Sequence, residues 1–198
     1  FKKDKPAYSF SDIMSYLGDT LGVIAKSPKI DGFSSSFAYH ISLLQVIYVQ
    51  QDLILELLYL VNCHLDKGDL KTDSDYSINR DIRNELIGHP IRKTIENNKT
   101  ILLSSVLMDI HSNSKTLTYA RYHKENQYQF EKLTFEIQDI IDRHYSFLNR
   151  YLDVIITKFK KILNEFSERV SNLLNLVDQK PFELIIKLTE LHFESIFE

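Results

Sequence analysis

One cysteine, five glycines and four prolines are all that this sequence of 198 residues contains of those types. A lone Cys63 excludes an intrachain disulfide and any cysteine-built zinc site, and a reducing, intracellular setting is the expectation. Every glycine, from Gly18 to Gly88, precedes His89. That leaves no phosphate-cradling glycine loop, no Gly-x-Ser-x-Gly elbow and no dinucleotide fingerprint. Strong charge of either sign is also missing. A net charge of -3 gives no global pull toward nucleic acid or anionic membranes, so any such contact must come from a local patch. No signal peptide is visible, and Phe1 is not an initiator residue, which predicts a truncated N-terminus. The most apolar run, Phe37 to Leu65, is interrupted by His40, Gln45, Gln50, Gln51, Asp52 and Glu56. Those groups are too costly for a lipid-facing span. No membrane partner and a cytoplasmic location are therefore expected.

What is present reads as an ordinary globular chain, 43% hydrophobic and 26% charged. The length suits one substantial core, so 1–198 is expected to be a single domain, with 127–198 as its C-terminal helical part. Ile13, Leu17, Leu21 and Ile24 predict a helix over 10–25, capped by Ser9 or Ser11. Pro28 and Gly32 mark a loop. A helix over about 36–65, apolar on most of its circumference, is expected to be central or shared with a partner chain. The polar loop 66–74 is short enough for an antiparallel return into a helix over 75–88. Strand formers at 101–110 and 116–122, around the turn-like 111–115, predict one β-hairpin. From Gln127 to about Val177 there is neither glycine nor proline. The helical rhythm there predicts one very long helix, or two with a break near 144–150. Pro181 suits the start of a terminal helix carrying Phe182, Ile185, Ile186, Phe193 and Phe197 on one face. The expected fold class is mainly α: an antiparallel helical bundle with one inserted β-hairpin near 101–122 and long C-terminal helices.

The chain is organised around Ile82-Arg83-Asn84-Glu85-Leu86-Ile87-Gly88-His89-Pro90. Gly88 is expected to supply a left-handed stop, and Pro90 to push His89 out of the helix. Ile78, Ile82 and Leu86 form an expected core stripe; Arg80 and Arg83, with Asn84 beside them, share a neighbouring one. Guanidinium, carboxamide and imidazole leaving one helix end together suit a phosphate. The segment 80–93 is a local basic patch, with Arg80, Arg83, Arg92 and Lys93 against Asp81 and Glu85. On a continuous helix Arg83 and His89 would lie about 9 Å apart along the axis and about 120° apart around it. One chain alone thus makes a poor catalytic pair, and a two-fold partner pairing through 36–90 is expected to supply a second set.

With these features the region 36–90 resembles the HEPN superfamily of helical, nucleic-acid-associated domains, whose motif is Arg, four to six residues, then His. Arg83 through His89 matches it. The resemblance implies a metal-independent endoribonuclease whose site forms across a dimer. His89 would be the general acid/base, Arg83 the phosphate clamp and Asn84 an orienting or phosphate-contacting group. Arg80 would touch RNA; no cofactor or metal is implied. A toxin or phage-defence role, with an antitoxin or other regulatory protein as partner, belongs to the same expectation. Ile91 stands where one toxin branch has a tyrosine, so regulation by modifying that tyrosine is not implied.

The remaining candidates read as structural. Counting back from the loop places Glu56 at the depth of Arg83, but it stays outside the expected site. His40, His64, His111, His144 and His192 lack zinc-site spacing. Glu131, Glu136, Asp139 and Asp142 read as a solvated face of the long helix. The alternative to a nuclease is a non-catalytic helical dimer binding RNA or a protein partner.

Overall fold

The computed structural model describes residues 8–26, 28–63, 68–96, 98–108, 114–177, 182, 186–187 and 189–191. Helix α1 (Tyr8–Ala25) packs on α2 (Phe33–Leu60), and α3 (Ser74–Arg83), preceded by the 3-10 turn Asp69–Thr72, returns against α2. Four strands follow, β1 (Ile91–Glu96), β2 (Lys99–Leu107), β3 (Thr116–Tyr122) and β4 (Phe130–Glu136), paired antiparallel in that order. Helix α4 (Ile137–Val177) starts directly off β4 and packs on α2 and α3.

This corrects the expected helical bundle with one inserted hairpin. The expected hairpin accounts for only the inner strands, β2 and β3, of a four-stranded sheet. Two strands escaped the reading for different reasons. In β1, Ile91, Lys93 and Ile95 alternate with Arg92 and Thr94. Just after it Asn98 stands at φ 59, a conformation that asparagine tolerates better than most residues. In β4, Leu133 falls by chance four residues before Ile137, which continues the helical rhythm of α4. The turn ahead of β4 uses Gln127 and Tyr128 at positive φ instead of glycine, so no punctuation announces it. Beyond that point α4 is one unbroken helix of 41 residues, with no break near 144–150. Residues 111–113 of the expected turn at 111–115 and most of the terminal helix after Pro181 lie outside the described residues, as do His64, His111 and His192; Phe182 and Ile186 are exposed.

Helix α2 explains its own apolar circumference. Leu43, Leu44, Ile47, Ile54, Leu57 and Leu58 are buried on successive turns, under α1, α3, α4 and the inner sheet face. Among the described residues it is the one helix long and apolar enough to cross a membrane, with 44% of its apolar window buried inside the protein. Two clusters share it. Leu43, Leu44 and Ile47 meet Ile82, Leu86, Ile140 and the sheet's Leu117 and Tyr119. Ile54, Leu57 and Leu58 meet Leu17, Tyr76, Phe147 and Ile155.

Buried polar groups in this core are tied in sequence. His144 Nε2 lies 2.6 Å from Gln50 Oε1, and Gln50 Nε2 donates to Thr20 Oγ1 at 2.9 Å. Thr20 in turn donates to the Tyr16 and Leu17 carbonyls. Because Gln50 presents its oxygen, His144 is the donor and carries its proton on Nε2. Burial pushes the His144 imidazole down to about 4, so it stays neutral near pH 7.

Candidate functional site

Helix α3 is held at its N-terminus and at its middle before it reaches the motif. Asp73 accepts from the Asp75 N–H as an N-cap, and Arg150 of α4 grips both Asp73 and Asp75. Further along, buried Asn79 donates to the Ile140 carbonyl at 2.8 Å and accepts from Arg143 Nε at 3.1 Å. Tyr76, Asn79 and Ile82 form the buried stripe; Ile78, expected in the core, is 42% exposed.

At Asn84 the helix changes. Residues Asn84–Gly88 form a π turn, closed by the His89 N–H donating to the Asn84 carbonyl at 2.8 Å. One residue more per turn rotates the side chains beyond Arg83. Leu86 stays buried, while the Glu85 carboxylate meets the sheet, accepting from Tyr119 OH at 2.7 Å and Arg121 Nη1 at 3.0 Å. Arg121 also pairs with Glu131 at 2.9 Å. Burial works against its charge, but the bonds to Glu131 and Glu85 outweigh that and hold the guanidinium protonated. Burial and the Glu85 bond push the Tyr119 phenol well above its usual range. The π turn is therefore bolted to β3.

Gly88 has another purpose than the one expected of it. Among the described residues the glycines at positive φ are Gly32 and Gly68, so Gly88 is not a left-handed stop. Instead, a Cβ added there would meet Arg83 Nη1 at 2.8 Å and Asn84 Oδ1 at 3.4 Å. The bare backbone leaves room for the guanidinium.

Arg83 is fixed on three sides by uncharged groups. Gln45 Oε1 accepts from Nε at 3.3 Å and Nη2 at 3.1 Å, and Asn84 Oδ1 accepts from Nη1 at 3.2 Å. Its guanidinium carbon lies 3.9 Å from the centre of the Tyr48 ring. Among the described residues no carboxylate pairs with it. Arg80 shares the Tyr48 ring at 4.0 Å and also lies over Tyr76, but Asp52 neutralises it at 2.8 Å. Of the two arginines, Arg83 is the one that no described carboxylate neutralises.

One cleft of about 1070 Å³ joins these groups. Its lining includes Tyr48, Tyr76, Arg80, Arg83, Asn84 and His89. His89 stands exposed past the π turn, at φ -143 and ψ 60. All four residues expected at the site thus share one concave surface. Asp81 borders the cleft as well; partial burial, then the charges of Glu85 and Glu125, push its carboxyl up. Among the described residues no three histidine, cysteine, aspartate or glutamate side chains gather in a way that could hold a metal ion.

Gln45, Tyr48 and Asp52 were not expected at the site. Their signal was a polar stripe with steps of three and four residues on an otherwise apolar helix, which is one helix face. The count that placed Glu56 opposite Arg83 is corrected: Gln45, three turns nearer the N-terminus of α2, takes that place. Equal-step counting assumed straight antiparallel helices and ignored the π turn and arginine's reach. Glu131 and Glu136 are likewise on strand β4, not the long helix, and Glu131 is an ion-pair partner of Arg121.

Compared with known proteins, the chain matches no family model, no curated protein and no solved structure.

Proposed function

We propose that the protein is a metal-independent endoribonuclease of the HEPN type, a cytoplasmic toxin or defence effector acting as a homodimer and restrained by an antitoxin or other regulator. One observation carries the reading: Arg83, unpaired with any carboxylate among the described residues, shares an open cleft with Asn84 and exposed His89. A guanidinium held by neutral acceptors and a π face keeps its full charge for an incoming anion. Imidazole is the side chain that exchanges protons most readily near neutrality.

In the proposed reaction His89 of one copy takes the proton of a ribose 2′-OH. The 2′-oxygen attacks phosphorus, and the second copy's His89 protonates the departing 5′-oxygen. The products are a 2′,3′-cyclic phosphate and a 5′-hydroxyl, with one proton accepted and one donated. Arg83 bears on the non-bridging oxygens as their charge grows, and Asn84 orients it. Arg80, already neutralised, contributes stacking and contact with RNA more than net charge.

The test is incubation of pure protein with mixed RNA in EDTA, beside His89→Ala and Arg83→Lys. Cleavage by the wild type alone supports the reading. RNA retention without cleavage by any of the three points instead to a non-catalytic RNA-binding dimer.

A further inference from the structure

The proposed chemistry occupies one end of the cleft. Its volume of about 1070 Å³ lies above the roughly 300–1,000 Å³ that one small ligand fills. Arg83 bonds Gln45 and Arg80 pairs with Asp52, so α3 runs back along α2. Leu55 and Tyr59 of α2 therefore lie further from Arg83 than Tyr48 does, on the side where Leu70 and Lys71 of the 3-10 turn complete the lining. Tyr48, Leu55 and Tyr59 stand at steps of seven and four residues, which is one helix face. Ser77, Arg80, Asp81 and Asn84 of α3 make the facing wall. The helix from Tyr48 to Tyr59 gives the groove a length of about 16 Å.

At its far end the groove has the make-up of a nucleotide subsite. Leu70 and Tyr76 are buried and floor it, Leu55 and Tyr59 are half-buried, and Lys71 is exposed at the rim. Gly68, at φ 107, lines the mouth without a side chain. Single strands are held by that combination, an aromatic or apolar surface for a base and a cation for the phosphate beside it. Asp81 is the acid of the lining, on α3 between the two cationic ends. A carboxylate there suits a base amino group and opposes a phosphate. The groove runs between packed helices, whose axes lie about 8–10 Å apart. A duplex is too wide to enter it, and a base reaches Tyr59 only when unpaired.

We propose that the far end of the cleft is a second RNA subsite, where Tyr59 takes an unpaired base against Leu55 and Leu70 while Lys71 holds the adjoining phosphate. At about 3.4 Å per step of a stacked strand, that base lies within about five nucleotides of the phosphate on Arg83. The substrate is then a single-stranded segment of several nucleotides, and a dinucleotide is too short to use both ends. This deepens the proposed function and rests on it for the identity of the strand; the test reads binding separately from cleavage.

The experiment is fluorescence anisotropy of the full chain in EDTA with a labelled dinucleotide and octanucleotide of mixed sequence, both 2′-O-methylated. Methylation removes the attacking hydroxyl, so wild type binds without cutting. The variants are Tyr59→Leu, which keeps apolar bulk but loses the flat ring, Tyr59→Phe, which keeps the ring, and Lys71→Ala. The octamer should bind at least about 5-fold more weakly to Tyr59→Leu and within about 2-fold of wild type to Tyr59→Phe. Lys71→Ala should weaken it too and lower the slope of log affinity against log salt by about 0.7. The dinucleotide should bind more weakly than the octamer. An octamer bound no better than the dinucleotide, or bound equally by wild type, Tyr59→Leu and Lys71→Ala, overturns the proposal. So does a blunt RNA duplex that competes as well as unlabelled octamer. If circular dichroism shows Tyr59→Leu unfolded, the exposed Lys71→Ala decides by its salt slope. Binding as expected while unmodified RNA stays uncut would remove the nuclease reading and leave the subsite. Unmodified RNA cut by all variants with unchanged KM would keep the nuclease and remove the subsite.

Discussion

Gly88→Ala separates two reasons for a glycine at the end of the motif. A left-handed stop would cost about 1–2 kcal/mol of stability on substitution, since a Cβ is disfavoured there. The structure places Gly88 inside a π turn with ordinary backbone, where alanine should be neutral or gain up to about 1 kcal/mol. Its Cβ would instead stand 2.8 Å from Arg83 Nη1, and ordinary contact requires about 0.6 Å more. That displacement must come from the guanidinium, which is clasped by Gln45 and lies on Tyr48. Losing one hydrogen bond to a charged group is worth about 1.5–3 kcal/mol. If the bond matters fully in the transition state, cleavage should fall roughly 10- to 100-fold. The assay is single-turnover cleavage of a labelled RNA beside a thermal melt. Wild-type cleavage with an unchanged melt would refute the idea that Arg83 needs its place; a large drop in melting temperature with proportional loss of activity would restore the stop.

Other expectations are narrower. His89→Ala should abolish cleavage with little change in the melt, because an exposed side chain leaves no cavity; calorimetry beside the RNA assay checks this. Arg83→Lys keeps the charge but loses the planar fork, so cleavage should drop at least 10-fold, by about one hydrogen bond to a charged group. Glu85→Gln should destabilise the fold by about 1–3 kcal/mol in urea titration, since it weakens the bonds from Tyr119 and Arg121 that fix the π turn. His144, depressed to about 4 when folded, is neutral above the ordinary imidazole range in both states and adds no pH dependence there. Below about 6.5 the unfolded chain binds the proton first, so stability should fall as pH drops toward 4, by on the order of 3 kcal/mol. An NMR titration in which His144 charges near pH 6.5 (about its unperturbed value) would contradict this.

Local chemistry alone pointed to Arg80, Arg83, Asn84 and His89, four of the residues that line the cleft. The spacing of Arg83, Asn84 and His89 around Gly88 and Pro90 is a property of consecutive residues, and so is the apolar circumference of α2, whereas α1 already runs from Tyr8, so that Ser9 and Ser11 lie within it and do not cap it. These signals survive folding because they depend on backbone geometry and burial within one element. The sheet was less legible. Strand β4 merges into α4 without glycine or proline, and strand pairing is a contact between distant segments that periodicity does not encode. Only the tertiary structure decided how Arg83 is held. Gln45 and Tyr48 lie more than thirty residues away in sequence, and the π turn that sends Glu85 to Tyr119 and Arg121 exists because the sheet is there to receive it. A guanidinium's partners are chosen by whatever the fold brings within about 3 Å, and no window along the chain contains that distance.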